Sequence, residues 1–453
     1  MRFSAPLDPG FQPAVLFNRQ YAERAKASPE AEPLAIGVER EAGLVSRYET
    51  RVLPGGSAET LRYVERLIKT LLWARGGWRI HLGGPPEIGA HIREAYGPTG
   101  ARAFDSDLMS KVYERPLEVV ACGVNDVPAA REMAQDVGGH LDGCRIGFDL
   151  GASDYKVAAV KEGEVVFSEE FPWNPRVEPD PAYHYRHINE GLKAAAAHLP
   201  RVDAIGGSSA GVIVDNKIMV ASLLRSVAAD KFDDAKTMFL RLRQEWGVPV
   251  AVANDGDVTA LAGAMSLEED GVLGVALGSS EAAGFIDRHG HILGWLNELA
   301  FAPVDYNADA PAEEWSGDSG VGALYFSQQA VNKLLPAAGI KVPTEMALPE
   351  RLKEVQALMA KGDPRALKIY ETIGIYLGYA AAHYADFYDF KHMLILGRVT
   401  TGDGGNVMLR KAEEVLAGEF PDLLARVSLN LPDEKSRRVG QAVAAASLPE
   451  IRR

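Results

Sequence analysis

Three loops rich in Gly, Ser and Thr each follow an apolar run of the sequence. They cover residues 149–156, 278–284 and 397–405. Backbone N–H groups in such loops can turn towards an anion, and a following helix adds its positive end. One loop of this kind is weak evidence, because most such turns only reverse the chain. Three in this order, with Asp149 in the first loop and Asn254-Asp255 between the first and the second, indicate phosphate binding.

Together these segments resemble the sugar-kinase branch of the actin–hexokinase–heat-shock ATPase superfamily, and within it the ROK family (repressors, open reading frames and kinases). The resemblance covers about residues 145–450. It implies an α/β protein with two actin-like, ribonuclease H-like lobes around a central cleft, each built on a mixed five-stranded sheet. It also implies ATP- and Mg²⁺-dependent phosphorylation of a hydroxyl group on a hexose or a hexose derivative.

The first loop is similar to the family's phosphate-one hairpin, in which D-x-G-x-T is followed by Lys or Arg. The resemblance implies that Asp149 organises the Mg²⁺ through water and that Gly151 and Ser153 approach the ATP phosphates. Lys156 stands at the basic position. Few protein ligands on a phosphate-bound Mg²⁺ are usual. A hairpin turn with a capping Asp is the plainer interpretation of the same residues.

Residues 253–263 look like the family element N-D-A-N-A-A-A-x-G-E at the start of a helix. A carboxylate within hydrogen-bonding distance of a hydroxyl can take its proton as the oxygen attacks the γ-phosphate. Asp255 is the candidate base, and Asn254 is expected to hold the sugar. Asp257 replaces the usual Asn and is an alternative base, a sugar contact or a helix cap.

Two further segments are expected to line the sugar site. Residues 204–216 stand where ROK kinases have G-x-G-x-P-G, so that Ser209 or Asn216 could bond sugar hydroxyls; a plain tight turn is an equal alternative. Glu298 matches the Glu of the family's G-E-x-G-H, whereas Phe301 stands where that motif has its zinc-ligating His. Residues 305–321 contain neither Cys nor His, so no zinc site is predicted.

The second phosphate loop keeps Gly278, the hydroxyl group at Ser279 and Gly284 of the family pattern G-T-G-x-G-G-G, but it lacks the middle glycines and gains Glu281. Ser280 is a further candidate for nucleotide binding. A carboxylate beside a polyphosphate is repulsive, so Glu281 is expected to turn outward or to contact the metal. The third loop looks like the adenosine motif, although Arg398 stands where many relatives have Gly. The positions carried over for nucleotide binding are Gly397, Gly402, Gly404 and Gly405.

Composition fits such an enzyme and argues against other classes. The 453 residues are 47% apolar and carry a net charge of −14, which disfavours binding to nucleic acid or an anionic membrane. No signal peptide and no apolar stretch of about 18 residues is present, which predicts a cytoplasmic protein. The resemblance is compatible with a homodimer. The alternative function is a non-catalytic sugar- or nucleotide-sensing protein of the same fold.

The elements that must position these residues divide the chain into three predicted domains. Residues 1–144 form an N-terminal α/β accessory domain of unknown role, 145–250 a first lobe closed by a helix over about 434–453, and 251–433 a second lobe. Within the accessory domain we expect an extended Pro-rich arm to about residue 33, a helix over 57–75 and a helix over 127–137.

Overall fold

The computed structural model describes residues 1–133, 135–136, 138–151, 154–432 and 434–451. Its strands are β1 (Glu32–Glu39), β2 (Val45–Val52), β3 (Arg79–Gly83), β4 (Glu118–Cys122), β5 (Gln135–Asp136), β6 (Cys144–Leu150), β7 (Asp154–Lys161), β8 (Glu164–Pro172), β9 (Ala204–Ser209), β10 (Val212–Val214), β11 (Lys217–Val220), β12 (Val250–Asn254), β13 (Val272–Leu277), β14 (Glu281–Ile286), β15 (His291–Ile292), β16 (His392–Leu396) and β17 (Ser428–Asn430).

Helices follow most of the strands along the chain. They are α1 (Ala14–Ala27), α2 (Ala58–Arg75), α3 (Pro86–Ala95), α4 (Ala103–Tyr113), α5 (Pro181–Ala196), α6 (Phe232–Lys236), α7 (Met238–Trp246), α8 (Asp255–Leu267), α9 (Gln328–Leu334), α10 (Leu348–Ala360), α11 (Pro364–Tyr384), α12 (Asp403–Glu419), α13 (Pro421–Leu424) and α14 (Glu434–Ala446). No described helix is both long and apolar enough to cross a membrane.

The chain forms two compact units. The first unit comprises Met1–Met133, Val275–Ala283 and Trp295–Leu431, and the second comprises Ala134–Gly274, Gly284–Gly294 and Pro432–Arg453. The N-terminal residues therefore share a unit with a large C-terminal part of the chain. The three-domain division made from the sequence stays a prediction.

The second unit is built on a mixed sheet of five strands in the order β12-β9-β6-β7-β8. Strands β6, β7 and β8 are consecutive antiparallel neighbours, while β9 runs parallel to both β6 and β12. Ile146, Phe148 and Val157 are fully buried in its core. This sheet confirms the mixed five-stranded sheet that was expected for one lobe.

The last helix of the chain packs directly on this sheet. A Cβ atom added to Gly147 or Gly206 would lie 1.6 Å from the carbonyl oxygen of Ala442 or Ala445, respectively. Helix α14 can approach so closely only because glycine, which has no Cβ atom, occupies these two strand positions. The side-chain amide of Gln441 on α14 also donates to the carbonyl oxygen of Asp255, at 3.2 Å.

The first unit contains a sheet in the order β2-β1-β3-β4. Strand β1 pairs antiparallel with β2 and β3, and β3 pairs parallel with β4. The helix expected over 57–75 is confirmed as α2, where the Ser57 hydroxyl accepts the N–H of Thr60 at 3.2 Å. Another sheet has the order β14-β13-β16-β17, so its described part has four strands where five were expected.

Two expectations for the N-terminal residues are wrong. The Pro-rich arm contains helix α1, which begins directly after Pro13 and buries Val15, Tyr21 and Ala25. Proline ahead of a helix fits its start, and the apolar face is stabilised by tertiary burial rather than by local sequence. The region expected to be a helix over 127–137 is extended where it is described. There Arg131 exchanges backbone hydrogen bonds with Val45, at 2.8 and 2.9 Å.

We predict that Gly206→Ala lowers the free energy of unfolding by about 3 kcal/mol, because the added methyl group overlaps the backbone of α14. Urea unfolding measures the change. The matched control is Gly247→Asn, at a position with a φ of +64° and open space for a side chain, where Asn is tolerated. Equal stability of the two variants would contradict the packing described for α14.

Candidate functional site

A row of polar side chains crosses three strands of the second unit. Asp149 at the end of β6 pairs in register with Lys156 on β7 and with Ser208 on β9. Residues directly opposite each other on neighbouring strands share one face of a sheet. The Ser208 hydroxyl donates to Oδ1 of Asp149 at 2.7 Å. Lys156 is exposed and lies 3.6 Å from the Glu170 carboxylate.

The negative charge of Asp255 affects the carboxyl group of Asp149. Burial raises the pKa of Asp149 to about 6, the hydrogen bond from Ser208 opposes this rise, and the negative charge of Asp255 adds to it. Burial of the carboxyl group also raises the pKa of Asp255 above its usual value, although the residue retains some exposed surface. Two such carboxylates near each other are an oxygen donor set that fits Mg²⁺.

The residues that the structure describes contain no group of three or more His, Cys, Asp and Glu side chains able to hold a metal ion. A Mg²⁺ ion that arrives with a nucleotide needs only one or two carboxylates from the protein. The predicted absence of zinc stays a prediction.

Asn254 sets the start of helix α8 and thereby the place of Asp255. Its side-chain oxygen accepts the N–H of Gly256 at 2.7 Å, and its amide nitrogen donates to the carbonyl oxygen of Gly211 at 2.8 Å. This is an N-cap that also ties the helix to a neighbouring loop. Asp255 follows in the first turn, where its Oδ1 accepts the same Gly256 N–H at 3.1 Å.

Asp257 lies deeper than Asp255. It is buried, and its Oδ1 accepts the N–H of Phe285 on β14 at 3.3 Å. The strand comes so close that a Cβ atom on Gly284 would lie 2.1 Å from the carbonyl group of Gly256. The Asp257 carboxylate therefore fastens β14 to the first turn of α8.

The loop expected to contact the sugar through Ser209 or Asn216 contains the tight turn given as its alternative. Asp215 and Asn216 have φ values of +49° and +60°, typical of a two-residue hairpin turn. The Asn216 side chain accepts the N–H of Val252 at 2.7 Å and donates to the carbonyl oxygen of Val250 at 3.2 Å. It thus bonds the edge of β12. Ser209 is buried at the end of β9.

The hairpin after Asp149 is closed by Gly151. Its N–H donates to the carbonyl oxygen of Asp154 at 3.0 Å, and its own carbonyl accepts the indole N–H of Trp173 at 2.9 Å. Ser153, which was expected to approach the phosphates, lies outside the described residues. The predicted hairpin shape is confirmed by the pairing of β6 with β7.

In the first unit, the loop at Gly278 leaves Ser279 and Ser280 exposed. The next residue, Glu281, turns into the interior, where it is 3% exposed and its Oε1 accepts the hydroxyl of Tyr384 at 3.0 Å. Burial, with a contribution from the charge of Glu298, raises the pKa of Glu281 to about 8. The expectation that Glu281 turns outward is wrong, because its carboxyl group is buried. Contact of Glu281 with a metal stays a prediction.

The third loop begins with a glycine that no other residue could replace without strain. Gly397 has a φ of +100°, and a Cβ atom there would lie 2.5 Å from the carbonyl oxygen of Leu277. Gly402, with a φ of +78°, precedes helix α12 and has open space around it. The backbone at Gly402 is therefore accessible to a ligand, and Arg398 beside it is exposed.

The other two glycines of this loop are required by packing. A Cβ atom on Gly404 would lie 2.4 Å from the ring of Tyr370, and one on Gly405 would lie 2.2 Å from the carbonyl oxygen of Thr400. Both residues are buried in the first turn of α12. They let the helix begin close to α11 and to its own preceding turn.

Glu298 is half-buried, and its backbone N–H donates to the carbonyl oxygen of Trp73 at 3.0 Å. Phe301, at the position of the absent zinc-ligating His, packs with its ring centroid 4.5 Å from that of Trp73 and 5.4 Å from that of Trp315. Aromatic packing thus occupies this place. The sequence analysis did not predict that α2 contacts the segment at Glu298. The apolar pattern of residues 57–75 predicts a helix but not which distant segment that helix contacts.

Solved structures share this architecture. A ROK hexokinase from Thermus thermophilus matches with a TM-score of 0.51 and 17% identity, over 67% of this chain and 97% of its own. A ROK-family glucokinase from Streptomyces griseus, in complex with glucose and AMPPNP, matches with a TM-score of 0.50 and 18% identity, over 67% and 98%. A ROK-family transcriptional regulator, a homologue of the E. coli MLC protein, matches with a TM-score of 0.53 and 19% identity. The match covers 68% of this chain and 79% of the regulator.

The chain has the ROK fold. The resemblance expected from the sequence motifs is confirmed at this level, and the neighbours include both sugar kinases and a regulator. No protein-family model and no curated protein sequence matches the chain.

We predict that Glu281→Gln stabilises the protein and that the gain depends on pH. The pKa of the buried Glu281 lies above its value in the unfolded chain, so wild-type stability falls as pH rises from about 4.5 to 8. The amide of the variant does not ionise, so its stability does not fall in this way. The difference in the free energy of unfolding between the variant and the wild type should therefore grow by on the order of 3 kcal/mol across that range. Thermal melts at several pH values measure it, and a constant difference would contradict the buried, neutral Glu281.

Proposed function

We propose that the chain is an ATP- and Mg²⁺-dependent kinase that phosphorylates a hydroxyl group of a hexose or hexose derivative. The observation that carries the proposal is the pair of carboxyl groups on Asp149 and Asp255, at the end of β6 and the start of α8. Phosphoryl transfer needs a proton acceptor and neutralisation of phosphate charge. The ROK fold, which hosts sugar kinases among the structural neighbours, supports assigning these two tasks to this pair.

Asp255 acts as the general base in this proposal. Its carboxylate accepts the proton of the sugar hydroxyl as the hydroxyl oxygen attacks the γ-phosphorus atom. Burial raises the pKa of Asp255 above the usual value of an aspartate, which makes its carboxylate a stronger base. Asp257 is the weaker candidate, because its buried carboxylate already accepts the backbone N–H of Phe285.

Asp149, aligned by the Ser208 hydroxyl, would hold the Mg²⁺ through water. When bound, Mg²⁺ neutralises the charge that develops on the phosphate oxygens. The hairpin residues Gly151, Ser153 and Lys156 would contact the phosphates. The first-unit positions proposed for ATP are Gly278, Ser279, Ser280, Gly397, Gly402, Gly404 and Gly405.

Sugar contacts are assigned to Asn254 and Glu298, with Ser209 as a further candidate. Asn254 retains a second amide hydrogen beyond the one that bonds Gly211. Asn216 already bonds the edge of β12, so we assign it support of the neighbouring loop rather than recognition. The two-lobed actin-like arrangement remains part of the proposal.

A regulator or sensor of the same fold is the second candidate, and the transcriptional regulator among the structural neighbours favours it. A sensor has no need of a base, whereas this chain retains Asp255 beside Asp149. The inward turn of Glu281 also removes the repulsion that had argued against ATP binding. The net charge of −14 disfavours DNA binding.

We expect ADP release to depend on a sugar when Mg-ATP is supplied with a panel of hexoses, amino sugars and polyols. Asp255→Asn should lower kcat by about 10³-fold, because the amide cannot accept the proton. The control is Asp230→Asn, at an exposed carboxylate, which should keep the wild-type rate. Absence of turnover with every sugar, together with absence of ATP binding in calorimetry, would reject the kinase in favour of a sensor.

Asp149→Asn should have opposite effects on Mg²⁺ binding, which it weakens, and on the stability of the metal-free fold, which it increases. The Mg²⁺ concentration for half-maximal activity should rise at least about tenfold, because a charged ligand is lost. Without metal the variant should be more stable than the wild type above pH 6, since the pKa of Asp149 is raised to about 6 and its charge destabilises the fold there. A variant that is less stable in the absence of metal would contradict this assignment.

A further inference from the structure

Residues 295–298 run along the C-terminal end of helix α2. The last carbonyl groups of a helix lack partners within the helix. Here three consecutive carbonyls of α2 accept three consecutive N–H groups, from Leu296 to Arg75 at 3.2 Å, from Asn297 to Ala74 at 3.1 Å and from Glu298 to Trp73 at 3.0 Å. The segment therefore caps the helix, and the helix fixes the backbone at Glu298.

Arg75, the last residue of α2, holds the start of the same segment. Its guanidinium carbon lies 3.4 Å from the ring centroid of Trp295 and 4.7 Å from that of Tyr388. The guanidinium also donates to the carbonyl oxygen of Phe387. Burial lowers the pKa of Arg75 to about 10, so the group stays charged at neutral pH and attracts both ring faces. The Trp295 indole N–H donates to Glu132 at 2.9 Å.

Asn297 bends the chain immediately before Glu298. Its φ of +53° lies in the left-handed region, which Asn tolerates better than most residues. The side chain is buried, and its Oδ1 accepts the hydroxyl of Tyr388 at 3.0 Å. Strained residues that their surroundings fix in this way are concentrated at functional sites.

Helix α2 also anchors the chain that follows Glu298. Arg66 donates two hydrogen bonds to the Asp318 carboxylate, at 2.7 and 3.1 Å, and Lys69 lies 3.3 Å from it. Arg102 adds a contact at 2.7 Å. Helix α2 thus contacts the chain both at residues 296–298 and at Asp318, which follows Glu298 in the sequence.

We infer that helix α2 of the N-terminal region positions Glu298 for sugar binding, with Arg75 and Asn297 as positioning residues. The inference rests on the proposed function, in which Glu298 contacts the sugar. It assigns residues 58–75 to the sugar site of the enzyme, whereas the sequence analysis predicts no role for the N-terminal region. Neither Arg75 nor Asn297 needs to touch the sugar itself.

The test compares Asn297→Ala and Arg75→Met in the full-length protein. We expect the KM for the sugar to rise about tenfold and the KM for ATP to change less than about twofold, because a small displacement of a binding group weakens one substrate selectively. Hydrogen exchange should accelerate at the amides of 296–298. Asn297→Asp should restore the sugar KM, since a carboxylate also accepts the Tyr388 hydroxyl and Asp tolerates a positive φ.

The matched control is Arg79→Met. Arg79 also covers a tryptophan ring in the first unit, 4.0 Å from the centroid of Trp78, but pairs with Glu39 and Glu118 instead of residues 295–298. It should leave the sugar KM unchanged. Accelerated exchange with an unaltered sugar KM, or a loss of kcat alone, would overturn the positioning role. A wild-type protein that neither turns over nor binds any sugar would instead reject the proposed function, and the inference with it.

Discussion

Like charges repel most strongly where water is scarce, and the second unit holds two carboxyl groups in such surroundings. Several contacts hold Asp149, Asp255 and the helix that carries Asp255 in place. Ser208 aligns one carboxyl group, Asn254 caps the helix that carries the other, and the glycines under α14 let the final helix reach the backbone at Asp255. In the proposed kinase, a bound cation would relieve the repulsion between these two carboxyl groups.

In the first unit, helix α2 and aromatic packing hold the irregular segment 295–298 in place. Residues 295–298 have little regular structure, so their N–H groups need partners from elsewhere in the chain. The end of α2 supplies three of them, and the ring of Phe301 fills the neighbouring space with apolar contacts. Glu281 is likewise held by a partner within the unit, the hydroxyl of Tyr384. Its raised pKa favours the neutral carboxyl group, which costs less free energy to bury than an ionised one.

Periodicity and turn residues were sufficient to predict most elements. The helix over 57–75, the hairpin after Asp149 and the helix start within 253–263 are all predicted from local signals, and the structure confirms them. The failures depend on tertiary partners. Helix α1 is stabilised by burial of Tyr21 and Ala25, and the stretch at Arg131 is extended because Val45 offers it a strand partner. The inward turn of Glu281 and the link of Asn297 to α2 also depend on residues far away in sequence.

Helix α14 lies far along the chain from the strands that it covers, which determines the order in which the fold can be completed. Strands β6 and β9 leave the ribosome more than 200 residues before Ala442 and Ala445, which cover their glycines. Until α14 has been synthesised, Gly147 and Gly206 lack the helix that covers them, and the carbonyl of Asp255 lacks its partner on Gln441. In the proposed kinase, the surroundings of Asp255 would therefore be completed only after α14 has emerged and packed on the sheet.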